Sequence, residues 1–310
     1  MEDARIKLEQ LAYLASNTTW TDALEKAWIT SLAKALPNIT DRSLEYIPAM
    51  LLDHHRTKFY QEILPKTVHN KKVLEIGTGA GALAVAAIKN GAKHVIALEC
   101  NPNAIPIAKQ TFQRNGVSEK VTLLEKSSLD LKQEEIEGCE VVIHDLFGRD
   151  PFGELACELL AHARSLLPRA RFVPEGFILK VSMISRLLLP SQFHPLPNND
   201  QIDLSALERA RKDQLIPAVL TDTIWNKGID IFNIHFKDCK PLQTLEESII
   251  GPSTDQVAVV WFEIFDGDNH LKSWGPDSAN HWGQLIWLPP TGARQIKFTQ
   301  PPTCLRLKAI

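Results

Sequence analysis

The chain has 310 residues, 44% of them hydrophobic and 23% charged, with a formal charge of −3. That length allows two domains or one large one, and the composition is that of a soluble globular protein. The small net charge excludes a strong pull toward nucleic acid or anionic membranes. No apolar run reaches membrane-spanning length, and Asp3, Arg5, Lys7 and Glu9 break a signal-peptide reading of the N-terminus. The five cysteines (Cys100, Cys139, Cys157, Cys239, Cys304) are odd in number and lack C-x-x-C spacing. Free thiols in a reducing compartment are expected, with no zinc and no disulfide framework, so the expected location is cytoplasmic.

Residues 1–45 read as a helical extension. Leu8, Leu11, Ala12 and Ala15 give one apolar stripe, and Leu24, Ala27, Trp28, Leu32 and Ala35 give another, with Pro37 ending it. A third helix is predicted over 48–64. Strand and helix then alternate: strand 73–76, helix 82–89, strand 94–98, helix 102–113, strand 121–124, strand 141–144, helix 154–166. That rhythm implies βαβ units and a parallel sheet covered by helices, over a domain spanning 46–173. After Pro174 the pattern changes. Segments 177–183, 228–236, 256–265, 282–288 and 295–308 are rich in β-branched and aromatic residues and read as antiparallel strands of a second domain, 174–310. A polar, Pro-rich insert, 190–226, interrupts it, with a helical middle at 204–215.

The most informative stretch is Val73-Leu74-Glu75-Ile76-Gly77-Thr78-Gly79-Ala80-Gly81. An apolar strand runs into three glycines at alternate positions, where the backbone can turn sharply and approach a ligand without a Cβ in the way. Glu99 ends the next strand, 22 residues after Gly77, where an acid accepts hydrogen bonds from a ribose diol. Together these predict a nucleoside-cofactor site at a sheet edge. Gly77-x-Gly79-x-x-Ala82 also fits a dinucleotide fingerprint, so an NAD(P)-dependent oxidoreductase is a rival. The third glycine and the early change to β-rich sequence favour S-adenosyl-L-methionine.

Five separate pieces, from about Met50 to about Pro289, resemble the protein arginine N-methyltransferases. Met50-Leu51-Leu52-Asp53-His54-His55-Arg56-Thr57 resembles the family's M-L-x-D-x-x-R-T helix, and the glycine loop with Glu99 is the second piece. Lys126-Ser127-Ser128-Leu129-Asp130 lies where the family closes over adenine. His144-Asp145-Leu146-Phe147-Gly148 through Gly153-Glu154 resembles the loop whose two acids, nine residues apart, grip a guanidinium. Asn280-His281-Trp282-Gly283-Gln284 resembles the family's T-H-W-x-Q loop, with Asn for Thr.

The resemblance implies a Rossmann-like methyltransferase sheet followed by a β-barrel-like domain, preceded by N-terminal helices. It implies S-adenosyl-L-methionine as cofactor, with Arg56 on the methionine carboxylate and Glu99 on the ribose. Glu75, Gly77, Gly79, Gly81 and Cys100 line the same site, and Ser127 and Ser128 lie toward the adenine. It implies Asp145 and Glu154 on the substrate guanidinium, with Trp282 and His144 beside them, and an Asp53–His281 contact. It implies protein or peptide arginine as substrate first and free arginine second, and a homodimer closed by an arm in the insert. Two departures stand out: the first acid is Asp145 rather than Glu, and residues 41–46 hold one aromatic where the family carries a Y-F-x-x-Y segment.

The chemistry suits these residues. A guanidinium is a planar cation with a fork of donors. Bringing it to a sulfonium is repulsive, and two carboxylates offset that repulsion and orient the fork. In-line methyl transfer then depends on alignment, and Glu154, Asp145 or the Asp53–His281 pair can take the departing proton. Each residue also has a plainer role. Glu154 fits the solvated first turn of the 154–166 helix, Asp145 a turn, and His281 and Trp282 packing. His54 and His55 point in different directions on a helix and are poor joint metal ligands. A non-catalytic protein that keeps the fold for binding or regulation is the alternative from another class.

Overall fold

The computed structural model describes residues 44, 46–196, 202–212, 214–239, 245–253, 255–279, 281–290, 295–300 and 305–309. The two N-terminal helices expected before residue 44, and Asn280, lie outside the described residues.

The first helix pair departs from the single helix expected over 48–64. Helix α1 (Tyr46–Leu52) stops, and α2 (His54–Thr67) starts afresh. Asp53 causes the break. It sits in extended backbone as an N-cap, and its Oδ1 accepts from the backbone N–H groups of His55 and Arg56, both at 3.1 Å. Those donors have no partner inside the helix, so the capping carboxylate stabilises a new start.

The parallel sheet is built as the alternation implies. β1 (Lys72–Ile76), α3 (Ala82–Lys89), β2 (His94–Leu98), α4 (Ile105–Arg114), β3 (Val121–Leu124), β4 (Val141–His144), α5 (Ala156–Leu166) and β5 (Arg171–Val173) follow in order. The strands lie β3-β2-β1-β4-β5, all parallel. Every β4 residue is buried, as expected of a central strand covered on both faces. The strand order reverses between β1 and β4, and the crevice beyond the carboxyl ends of these two strands is where such sheets bind ligands.

Two helix starts shift from the expected positions. α4 begins at Ile105, because Asn101 holds a turn: its Oδ1 accepts from Asn103 N at 2.9 Å and its backbone oxygen from Ala104 and Ile105. α5 begins at Ala156, because Leu155 adopts the left-handed conformation (φ 60°) and interrupts the helix. Glu154 therefore lies outside the helix, in the preceding turn.

The second lobe is antiparallel. β6 (Gly176–Ser185), β7 (Leu215–Ala218), β8 (Ile229–His235), β10 (Gln256–Asp266), β11 (Asn269–Lys272) and β12 (Gln284–Trp287) form one sheet, ordered β7-β12-β10-β6-β8 with β11 on β10. β9 (Leu245–Ile250), β13 (Gln295–Gln300) and β14 (Arg306–Ala309) form another. Among the described residues the lobe is thus two sheets, and the single strand expected over 295–308 is two. The insert carries the short helix α6 (Ser205–Arg211). Its segment Leu215–Ala218 is β7, paired to β12.

One hydrophobic core spans both lobes. At the seam Phe147 meets Phe177, Phe236, Phe262 and Trp282 at ring separations of 5.9 to 6.4 Å. Aromatic pairs of this kind add about 1 kcal/mol each beyond the area they bury. The acid loop after β4 is thereby fastened to both sheets.

Candidate functional site

A cavity of about 670 Å³ opens beyond the carboxyl ends of β1, β2 and β4. It is walled by α1, the glycine loop, the acid loop and the loop bearing His281 and Trp282. Of the residues singled out from sequence, Arg56, Glu75, Gly77, Gly79, Glu99, Cys100, Ser127, Ser128, Asp145, Glu154, His281 and Trp282 line this one space.

All three glycines of the loop have positive φ, and their roles differ. A Cβ at Gly77 would stand 2.9 Å from the Leu146 side chain, and one at Gly81 would stand 2.6 Å from the Phe112 ring, so both glycines permit close packing. A Cβ at Gly79 would meet no atom within 4 Å. Gly79 instead leaves open space on the cavity side of the loop.

Glu99 fixes that loop. Its Oε2 accepts from Gly79 N at 2.7 Å, and its Oε1 accepts from Cys100 N and Asn101 N at 2.9 and 2.7 Å. The carboxylate is held rigidly at the cavity wall, with one acceptor position, on Oε2, left over for a ligand hydroxyl. Deeper, Thr78 donates its hydroxyl to Glu75 Oε2 at 2.5 Å. Burial, opposed by that bond, pushes the Glu75 carboxyl up to about 7. Ser127 caps the next turn, accepting from Leu129 N at 3.2 Å. Ser128 Oγ is buried and has no hydrogen-bond partner among the described residues. An orphaned buried hydroxyl on a cavity wall, a carboxylate with an acceptor position to spare and a glycine facing open space together fit an adenosine-bearing cofactor.

Asp145 ends β4. Its Oδ2 accepts from Arg56 Nε at 2.5 Å, and Tyr60 donates its hydroxyl to the His144 backbone oxygen at 2.8 Å with Asp145 Oδ1 also within reach at 3.2 Å. Burial opposes the Arg56 charge, but Asp145 beside it more than offsets that, and the guanidinium is held above its ordinary value. Arg56 and Asp145, expected from the motifs to have separate partners, are joined to each other in the folded chain. Tyr60 was missed. It lies one helical turn beyond Arg56, and that spacing was its only signal.

Glu154 opens onto the cavity from the turn that Asp150 stabilises. Asp150 Oδ1 accepts from Phe152 N at 2.9 Å, and its backbone oxygen from Gly153 N. Glu154 is itself exposed on the cavity side, but the protein packed around it, then the charges of Asp145, Asp150 and Glu99, push its carboxyl up to about 7. No hydrogen bond or ion pair ties it down among the described residues.

Asp53 and His281 meet as expected from the motifs. His281 Nδ1 lies 2.9 Å from Asp53 Oδ2, across 228 residues of sequence. Burial alone would raise the Asp53 carboxyl. The bonds from His281 and from the Arg56 backbone N–H outweigh it and hold the group below its ordinary value. With Nδ1 engaged, His281 Nε2 is buried and has no partner among the described residues.

His144 is a correction. It was expected beside the substrate, but its ring is fully buried, 4.8 Å from Phe236 and 5.4 Å from Phe147 by ring centroids. It lies at the seam, away from the cavity lining. Burial pushes its imidazole down to about 4, so the ring is neutral and packs as an aromatic. Among the described residues there is no cluster of three metal-ligating side chains, and no helix is long and apolar enough to cross a membrane.

Comparison with known proteins gives the same picture. The family model described as "Ribosomal protein L11 methyltransferase (PrmA)" matches residues 53–156. A probable protein arginine N-methyltransferase 1.2 from Arabidopsis thaliana is 27% identical over 263 residues, covering 76% of this chain and 69% of that one. Four curated relatives have between 55% and 70% of their own length spanned by this chain. Among solved structures, PRMT6 superposes with a TM-score of 0.68 at 17% identity, covering 86% of this chain and 98% of that chain. The Trypanosoma brucei PRMT1 enzyme–prozyme heterotetrameric complex with AdoHcy superposes at 0.67 and 20% identity, covering 81% and 85%. In sequence and in two-lobed fold, the chain resembles the protein arginine N-methyltransferases.

Proposed function

We propose that this chain, which resembles the protein arginine N-methyltransferases, is an S-adenosyl-L-methionine-dependent enzyme that transfers a methyl group to a guanidino nitrogen of arginine. The observation that carries this reading is the convergence of Asp145 and Glu154 on one cavity with Glu99, Gly79 and Ser128. The relatives' names point to protein or peptide arginine, and free arginine presents the same reacting group.

In this reading the bound cofactor supplies an electrophilic methyl. Glu99 holds the ribose, Ser128 faces the adenine, and the free N–H groups of Arg56 take the amino-acid carboxylate. Asp145 and Glu154 hold the guanidinium and aim one nitrogen along the transfer axis. An arriving guanidinium replaces the proton on Glu154, since the cation favours the ionised acid. The ionised Glu154 is then placed to take the proton that the nitrogen sheds. Asp53 keeps His281 oriented at the wall, with the buried Nε2 unpaired and able to serve a second proton path. The acid chain is one methylene shorter at Asp145, and the Arg56 and Tyr60 contacts hold it in place of reach.

A homodimer belongs to the same reading. Ile202 and Leu207, on the insert, are exposed and offer an apolar docking face. A deletion that tests it has to stop short of Leu215, because β7 completes the sheet edge. The expected compartment is the cytoplasm.

The experiment is mass spectrometry of guanidino compounds and Arg/Gly-rich peptides after incubation with the chain and S-adenosyl-L-methionine. A methylated guanidino nitrogen supports the reading. Tight S-adenosylhomocysteine binding without turnover on any guanidine favours the non-catalytic alternative instead.

A further inference from the structure

Three fixed cations line the cavity: Arg56, Lys126 and Arg149. Two are committed. Arg56 pairs with Asp145, and Lys126 binds both oxygens of Glu135 at 2.6 and 2.7 Å. Arg149 has no hydrogen bond or ion pair among the described residues, although Asp150 follows it directly and five acids share the cavity lining. Three of the neighbouring acids have other work, and Glu154 is the substrate partner proposed above. Asp150 caps its own turn, Glu99 accepts three backbone N–H groups, and Asp145 holds Arg56. Arg149 is exposed, sits on the acid loop four residues past Asp145 and five before Glu154, and lines the same cavity as both acids.

A cation at that place is out of character for a pocket that admits a guanidinium. It repels the approaching positive charge unless the substrate also brings an anion. The donor's own carboxylate is already provided for by the remaining N–H groups of Arg56. We propose that Arg149 is a specificity-determining residue that binds the carboxylate of the substrate, so that the favoured substrate is an arginine with a free α-carboxylate. That chemistry has two sources, arginine itself and arginine at the C-terminus of a peptide. Arginine's fork matches a carboxylate bidentately, which makes it better suited than a lysine to this task. Internal arginine in a basic peptide offers no such anion, and its flanking charges meet Arg149 unfavourably. The inference rests on the guanidine methylation proposed above.

The test is steady-state methylation by the full chain and by Arg149→Ala on four probes: L-arginine, L-argininamide, a peptide ending in arginine, and the same peptide amidated at its C-terminus. The wild type is expected to favour each acid over its amide by about tenfold in kcat/KM, chiefly through KM, and Arg149→Ala to shrink that ratio to about twofold. Comparing the two acids separates the free amino acid from the peptide terminus. Equal rates on acid and amide in the wild type overturn the proposal, as does an acid preference that survives in the variant. S-adenosylhomocysteine affinity measured by calorimetry is the control, since a parallel loss in Arg149→Ala assigns the charge to the donor and overturns the proposal too. If Arg149→Ala does not fold, the wild-type comparison of acid with amide decides alone. Absence of methylation on all four probes is the failure of the parent reading, and the inference falls with it.

Discussion

Arg56 Nε and Asp145 Oδ2 lie 2.5 Å apart, and both side chains are almost wholly buried, at 4% and 5% exposure. The pair fastens α2 to the end of β4 and shows the acid loop already holding a guanidinium. Removing one partner strands the other charge. Arg56→Ala is expected to cost about 3 kcal/mol of stability, read from urea midpoints, and to weaken S-adenosylhomocysteine binding. Arg56→Lys keeps the charge but loses the fork, and is expected to fall between. An unchanged midpoint in Arg56→Ala removes the structural role assigned to this pair.

Asp53 does two jobs, capping α2 and holding His281. Asp53→Ala is expected to cost about 1 kcal/mol for the cap alone. Its loss of turnover is expected to overlap with that of His281→Ala, so that the double variant is no slower than the worse single one. Fully additive losses in kcat contradict a shared role.

The surrounding protein and the acidic neighbours hold the Glu154 carboxyl up to about 7, although the residue is exposed on the cavity side. Between its ordinary value of 4.5 and about 7 the unfolded chain has lost this proton while the folded chain keeps it. Its contribution to stability therefore falls as pH rises through that window and levels off above it. Guanidine binding needs the ionised acid, so kcat/KM for the substrate is expected to climb with pH up to about 7. At pH 6 binding is expected to release a proton, seen as a buffer-dependent heat in calorimetry. A flat profile across this window is inconsistent with Glu154 as the guanidinium partner.

Gly79 faces the cavity with φ of 53°. Gly79→Ala is expected to cost only about 1 kcal/mol in folding, the penalty of a left-handed alanine. Cofactor affinity is expected to drop about tenfold or more, because the methyl fills space the ligand needs. Calorimetry with S-adenosylhomocysteine checks it, and undiminished affinity moves the ligand elsewhere.

Much of this was legible in the sequence where chemistry and periodicity agreed. β1, α3 and β2 are bounded by an apolar run, a glycine loop and Glu99, and each signal is local. The Asp53–His281 contact was reachable only through motif resemblance, since no local rule joins residues 228 apart. The missed features are those decided by tertiary contact. Asp53 divides α1 from α2 by capping, whereas an apolar stripe reads through it. Leu155 at φ 60° ejects Glu154 from a helix its composition favours. β7 and β9 are an edge strand with a proline and a largely polar one, so neither carries an alternating apolar pattern. His144 precedes the acid loop in sequence, but its ring turns into the aromatic seam, which the alternation of a strand allows and cannot foretell.

The most direct measurement pairs two readouts on Glu154→Gln: S-adenosylhomocysteine affinity by calorimetry and single-turnover methylation of the best guanidine substrate. Unchanged affinity together with turnover slowed by roughly 3 kcal/mol of barrier is the expected result. Turnover near the wild-type rate, with the cofactor still bound, contradicts a guanidinium held between Asp145 and Glu154.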